Sequence, residues 1–267
     1  MQMSPTMPVT IEWAALAASA GALAVASISD LKSREVSNRV WMVYGPVSLT
    51  LFVARMILYA GDIPILLVSA ISTIVIAFLL FQFGVMGGAD SKALMCLGLA
   101  LPLPPGIVST FWQAPLPLYP YPIAILANSF LLSIGSGIVI LARNLIRGAT
   151  FRGFERESLL TKLMVLFTSY KTSFTVLQSS TYLYPAEQVN IVESKPVRNF
   201  RLFSSAEEER EKLVAGLETY KAQGVFSDGV WVTPGLPHLV FLTASLAVLL
   251  VIGDLLMWAF FSIVRYP

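Results

Sequence analysis

Gly87-Gly88-Ala89-Asp90-Ser91-Lys92 lies between two long apolar segments, roughly 64–84 and 90–110. It sets an ionisable carboxylate beside paired glycines at the edge of hydrocarbon. A second carboxylate, Asp30, ends another apolar segment in the run Asp30-Leu31-Lys32-Ser33-Arg34. An acid next to lipid is expensive to keep and reads first as functional. Two of them point to acid–base chemistry on a membrane-embedded substrate.

Composition supports the membrane reading. The 267 residues are 56% hydrophobic and 13% charged, with mean hydropathy +0.73. Soluble domains carry about 25% charged residues. The net charge of +2 gives no argument for a nucleic-acid partner. Cys96, the single cysteine, excludes an intrachain disulfide and a four-cysteine zinc module. His238, the single histidine, argues against a His-rich metal site, so neither metal nor cofactor is expected. The first apolar segment lacks a basic start and reads as a retained anchor.

A membrane span needs about 20 apolar residues. That measure gives six spans, roughly 9–29, 39–60, 64–84, 90–110, 119–141 and 236–260. Pro102, Pro104 and Pro105 break the fourth early, which predicts a short helix followed by an irregular outer loop. Residues 143–232 differ in character, holding 12 of the 18 Lys/Arg and 10 of the 16 Asp/Glu. The expected fold is an all-α polytopic membrane protein with a small soluble α+β insertion before the last helix. Its parts are a membrane domain over 1–142 with both acids, a soluble domain over 143–232, and the sixth helix with the C-terminus over 233–267. Within the insertion, 205–222 reads as a helix capped by Ser205 and Glu208 and ended by Gly224. Alternation over 163–193 predicts short strands.

Basic residues set the orientation. Lys32, Arg34, Arg39, Lys92 and the twelve of the insertion all fall on one side of an alternating six-span path. That side is expected to be the cytoplasm of the cell membrane, with both termini outside. Asp30, Asp90 and the insertion then share one face.

Aspartic proteolysis needs two carboxyl groups close enough to share a proton, and like-charge proximity pushes their titrations apart. The groups need only sit at one depth on adjacent helices. Asp30 ends span one and Asp90 starts span four, which permits this. Gly87 and Gly88 leave room for an unwound peptide to approach. The plain structural alternatives are that Asp90 caps span four and that Asp30 is a solvated acid paired with Lys32 or Arg34.

The combination is more specific than its parts. Asp30-x-x-x-Arg34-x-Val36-x-Asn38 and Gly87-Gly88-Ala89-Asp90-Ser91-Lys92 resemble the two active-site signatures of archaeal prepilin and preflagellin peptidases, membrane aspartic proteases of the G-x-G-D type. Ala89 stands where the strict motif has its second glycine. Val230-Trp231-Val232-Thr233-Pro234-Gly235-Leu236-Pro237 and Gly253-Asp254 resemble the C-terminal segment of the same proteins. The resemblance implies an aspartic endopeptidase with Asp30 and Asp90 as catalytic pair. Gly87, Gly88, Lys92, Lys32, Arg34 and Asn38 would support the active-site loop. Implied substrates are pre-archaellins and prepilin-like proteins, which carry a basic leader, a cleavage site and an apolar helix. With one cysteine, the chain resembles the archaeal, protease-only type.

Lys32 and Lys92 each follow an acid by two positions, where a cation would favour its ionised form; ordinary inside-face charge is the alternative. Glu207, Glu208, Glu209 and Glu211 read as a solvated helix face. Asp62 and Asp254 fall on the outer side, Asp254 as an interfacial residue, and His238 is expected to face the headgroups. Two other functions fit a polytopic chain: a proton-coupled transporter with the two acids as relay, which prefers midplane acids at broken helices, and a scaffold whose insertion binds a cytosolic partner. The oligomeric state stays open.

Overall fold

The computed structural model describes residues 9–106, 117–192, 195–201 and 207–264. Its helices and strands are α1 Val9–Ser33, α2 Asn38–Leu58, α3 Ile63–Gln82, α4 Gly88–Ala100, α5 Tyr121–Ile146, α6 Leu159–Thr168, β1 Tyr170–Thr172, α7 Phe174–Ser179, β2 Leu183–Pro185, β3 Glu187–Val192, β4 Lys195–Phe200, α8 Glu207–Lys221, β5 Val230–Pro234, α9 His238–Val251 and α10 Leu255–Val264. The chain forms two compact units, residues 1–133 with 237–267, and residues 134–236.

The first unit is helical, and its core is built around α4. Ala93, Leu94, Leu97 and Ala100 of α4 are fully buried against Leu23 of α1, Ala77 of α3, Ile125 of α5 and Leu242 of α9. Hydrophobic burial against water does not hold helices together in lipid, so close contact through small residues does. Gly98 illustrates it: a Cβ there would stand 3.0 Å from Thr73 of α3. The outward faces of α2 and α3 carry exposed Val43, Ile57, Val68, Ile71 and Phe78, an apolar exterior suited to lipid.

Among the described residues, four helical segments are long and apolar enough to cross a membrane: Val9–Ser33, Asn38–Leu58, Ala60–Gln82 and Tyr121–Ile146. The expected fourth span is shorter than the 90–110 reading. Helix α4 has 13 residues, about 20 Å at 1.5 Å per residue against roughly 30 Å of hydrocarbon. It stops at Leu101 because Pro102, Pro104 and Pro105 cannot donate the backbone bonds that would extend it.

The expected sixth span is broken. Helices α9 and α10 meet at a bend of 51° around Ile252–Asp254. Gly253 takes φ +98°, open to glycine and strained for other residues. Backbone freed inside a membrane must find partners within the protein. Asn128 supplies them, donating to the Gly253 carbonyl at 3.2 Å and accepting from the Leu255 N–H at 3.0 Å. Asp254, expected at the interface, is fully buried and caps α10 by accepting from the Leu256 and Met257 N–H groups.

The second unit mixes helices with two small sheets. Strand β5 is the centre of an antiparallel β1-β5-β2 sheet, with Lys171 opposite Trp231 and Tyr184 opposite Thr233. Strands β3 and β4 form a separate hairpin in which Val189 faces Arg198. The alternating stretch 163–193 thus holds the expected strands β1, β2 and β3. It also holds α7 and most of α6, which the alternation did not predict. Ser158 caps α6 by accepting from the Thr161 N–H, and Leu159, Leu160, Leu163, Met164 and Phe167 are exposed along it. Helix α8 matches the helix expected over 205–222; its expected cap, Ser205, lies outside the described residues, as does the Glu208 side chain. Gly224, at φ +74°, follows the helix end.

A buried ion cluster ties these strands together. Arg198 donates to both oxygens of Glu187, at 2.7 and 2.9 Å, and to Asp228 at 2.6 Å. Glu187 also accepts the Trp231 N–H. Burial pushes the Glu187 carboxyl up, against the pull of Arg198 and Trp231. For Asp228, partial burial is outweighed by Lys171 and Arg198, which hold it below the usual carboxylate range. Breaking such a cluster from one side strands a buried charge. Arg198→Leu is expected to cost about 3–5 kcal/mol in this unit, read as lost thermal stability in detergent; a cost below about 1 kcal/mol would show the cluster to be expendable.

Candidate active site

Three chain segments converge on the two acids: the end of α1, the start of α4 and the start of α9. Asp30 lies in the last turns of α1. The Arg34 N–H still bonds the Asp30 carbonyl at 3.1 Å, while Arg34 itself turns to φ 58°, a left-handed conformation that ends the helix. The chain then enters α2 through Ser37, whose hydroxyl accepts from the Arg39 N–H. Val36 and Val40 pack against the membrane core, which pins the short connection.

Asp90 is the third residue of α4, whose N-cap is Gly87. The preceding turn is set one step earlier, at Gly84. With φ +69° it ends α3 by sending its N–H to Phe81 and the Val85 N–H to Leu80. This paired arrangement satisfies the last carbonyls of a helix and favours glycine at the left-handed position. Met86 is then buried and the chain re-enters a helix. Among the described residues, no side chain caps α4 at Gly87.

The motif glycines are not required for unusual backbone angles. Gly87 has φ −67°, open to any residue, and Gly88 is already helical. What Gly87 supplies is space. A Cβ at position 87 would stand 3.2 Å from Asp90 Oδ2, whereas one at Gly88 would meet Phe81 at an ordinary 3.5 Å.

The surroundings of the acids are drawn from distant parts of the chain. Asp30 and Asp90 lie close enough to act on one another electrostatically, and Arg34 and His238 act on Asp30 as well. The Leu239 backbone amide lies near enough to act on the Asp30 carboxylate. The start of α9 therefore presents a free helix N–H, and the positive end of its dipole, to the pair. Ser27 and Thr243 hold α9 on α1: Ser27 donates to the Leu239 carbonyl at 3.0 Å and meets the Thr243 hydroxyl at 2.6 Å. Lys92 turns away to donate to Asn38 Oδ1 at 2.7 Å, joining the two motif segments across α2 and α4. Lys32 is exposed.

His238 was not singled out by the sequence, which put it at the headgroups. Its side chain is instead 17% exposed and faces inward, with Nδ1 3.7 Å from Asp90 Oδ1 and Nε2 3.3 Å from the Ser129 hydroxyl. The Phe130 ring lies 5.2 Å from its own. No spacing marks a lone histidine behind a proline; only the fold delivers it. Among the described residues no group of three or more His, Cys, Asp or Glu is arranged to hold a metal ion.

Apolar helices of membrane-crossing length around a pair of acids describe a polytopic membrane peptidase. The chain is similar to proteins of the type IV leader peptidase family. The profile of that family matches residues 17–140, and a second, Archaeal Peptidase A24 C-terminus Type II, matches residues 161–255. Among similar curated proteins is the preflagellin peptidase of Methanocaldococcus jannaschii, 28% identical over 90% of this chain and 94% of its own length. The preflagellin peptidases of Methanococcus voltae and Methanococcus maripaludis are 27% and 26% identical, each over 87% of this chain and 92% of their own. No solved structure matches the chain.

The space at Gly87 can be tested directly. Gly87→Ala crowds the Asp90 carboxylate and is expected to lower peptidase turnover about tenfold or more, while Gly88→Ala stays within about threefold, since displacements well under 1 Å already matter in catalysis. Equal turnover in the two variants, measured in membranes at matched protein levels, would refute the assignment.

Proposed function

We propose that the protein is a membrane aspartic endopeptidase that removes the basic leader from pre-archaellins or related prepilin-like, class III signal sequences at the cytoplasmic face. The observation that carries this reading is that Asp90 at the start of α4 lies close enough to Asp30 at the end of α1 to act on it. Two like charges brought together repel, and Arg34, His238 and the Leu239 amide near Asp30 offset part of that repulsion.

The chemistry follows from one proton held between two carboxyl groups. The ionised member takes a proton from a water as the water oxygen bonds to the scissile carbonyl carbon. The protonated member gives its proton to the carbonyl oxygen, and a neutral gem-diol results. In the second half the newly protonated acid passes its proton to the amide nitrogen. The other acid takes one from the diol, and the C–N bond breaks. Both acids return to their starting state, with no covalent intermediate.

The curated relatives are named preflagellin peptidases, and substrates of that kind fit the site. A basic leader stays on the cytoplasmic side by the same rule that orients the enzyme, so its scissile bond falls at the depth of the dyad. In the full topology α4 acts as a short fourth crossing and the bent α9–α10 pair as the sixth. The termini lie outside, and residues 143–232 form a cytoplasmic domain.

Asp30→Asn and Asp90→Asn are each expected to abolish cleavage of a pre-archaellin in membranes, a loss of at least about a hundredfold, while both variants still insert and accumulate. Cleavage by either variant at the parent rate would end the reading.

A further inference from the structure

The two acids do not have equivalent surroundings. Asp30 lies near the Arg34 guanidinium and the Leu239 backbone amide. Asp90 faces an imidazole instead, and the hydrogen bonds of that ring fix where its proton is.

The Ser129 hydroxyl donates its only proton to the Leu126 carbonyl at 2.7 Å. Toward His238 it can only accept, so the proton of the 3.3 Å contact belongs to His238 Nε2. In the neutral ring Nδ1 is then the bare nitrogen. That atom is buried, has no hydrogen-bond partner among the described residues, and looks at Asp90 Oδ1 from 3.7 Å. Two arrangements satisfy the contact: a protonated Asp90 facing a bare Nδ1, or an imidazolium facing an Asp90 carboxylate. Either holds one proton between Oδ1 and Nδ1. A carboxylate facing a bare Nδ1 would set two lone pairs against each other.

We propose that His238 is a positioning residue for Asp90 that keeps the shared proton on the Asp90 side of the dyad. Asp90 then opens the reaction as the acid and Asp30 as the base. This rests on the aspartic reading above and deepens it by assigning the two roles. Asp30 takes the proton from the attacking water, and the Asp90–His238 pair delivers its proton to the carbonyl oxygen. In the collapse of the diol the pair recovers a proton, and Asp30 gives its own to the leaving nitrogen. Proton count and charge are restored after each cycle, with no additional reactant.

The groups facing His238 can be named from each element packed on it. Helix α1 brings Asp30, itself beside Arg34, and α4 brings Asp90; Ser129 and Phe130 of α5 carry no titrating group. The arrangement also accounts for Ser129, a fully buried hydroxyl on the lipid-crossing helix α5. Its role is to hold Nε2 and so aim Nδ1.

The test measures kcat, KM and the pH profile of kcat for cleavage of a pre-archaellin by full-length enzyme in lipid vesicles. In His238→Gln the side-chain amide reaches the position of Nε2 and keeps the Ser129 contact, but puts no titrating group beside Asp90. It is expected to lower kcat by about tenfold to a hundredfold, leave KM within about threefold, and shift the acid limb of the profile. His238→Asn places its amide nearer Nδ1 and is expected to recover part of the loss. Ser129→Ala removes only the anchor and is expected to move the same limb in the same direction. Unchanged kcat and profile in His238→Gln and Ser129→Ala would overturn the inference. A uniform loss with the profile unmoved would also overturn it, because that is the mark of a merely structural role, and so would a rise in KM alone. If His238→Gln fails to insert, the Ser129→Ala profile decides alone. Asp30→Asn and Asp90→Asn run alongside: activity there sinks the aspartic reading itself, whereas inactive acids with an indifferent His238 sink only the assignment of roles.

Discussion

Two carboxylates at the rim of an apolar bundle repel one another, and each separately resists leaving water. The groups beside Asp30 and Asp90 offset part of those two penalties. The positive end of α9 points at them, a guanidinium stands beside one and an imidazole beside the other. The seam that keeps α9 in place is polar, running through Ser27 and Thr243 to backbone carbonyls of α1 and α9. Within lipid such bonds have no water to compete with them, although each contributes only about 0.6 kcal/mol on average. The electrostatics of the acid pair therefore depend on how firmly α9 sits on α1.

The rest of the helical unit can be read as support for that end. Helix α4 is buried along most of its length, with its small residues set against neighbours, so Asp90 starts from a fixed base. Helix α9 has to begin at the acids and still reach the far side of the unit. It does so by bending at Gly253, where Asn128 and Asp254 satisfy the freed backbone. The short helix and the broken one are both departures from a regular span. Each is stabilised by side chains that a uniformly apolar segment would not need.

What the sequence disclosed and what it hid divide along a physical line. Asp30, Arg34, Val36, Asn38 and Lys92 were legible because they belong to two short motifs, and the fold draws these motifs together through the Lys92–Asn38 bond. The long apolar helices were legible because lipid demands a run of about 20 residues. The length of α4 was only half visible, in its prolines. His238 and Ser129 were invisible, since neither spacing nor composition links them to residue 90. Gly84 belongs to neither motif, although it is the glycine that turns the chain. Helix α6 was hidden inside a stretch whose alternation suggested strands.

The close approach at Gly87 also bears on how this position can drift over time. Every single base change that replaces glycine gives a stop or a residue with at least one more carbon. The 3.2 Å between an added Cβ and Asp90 Oδ2 means that the smallest of these replacements already presses on the acid. Any residue that replaces Gly87 thus obliges the carboxylate to give by a few tenths of an ångström. Position 88, with more room, is free of that constraint.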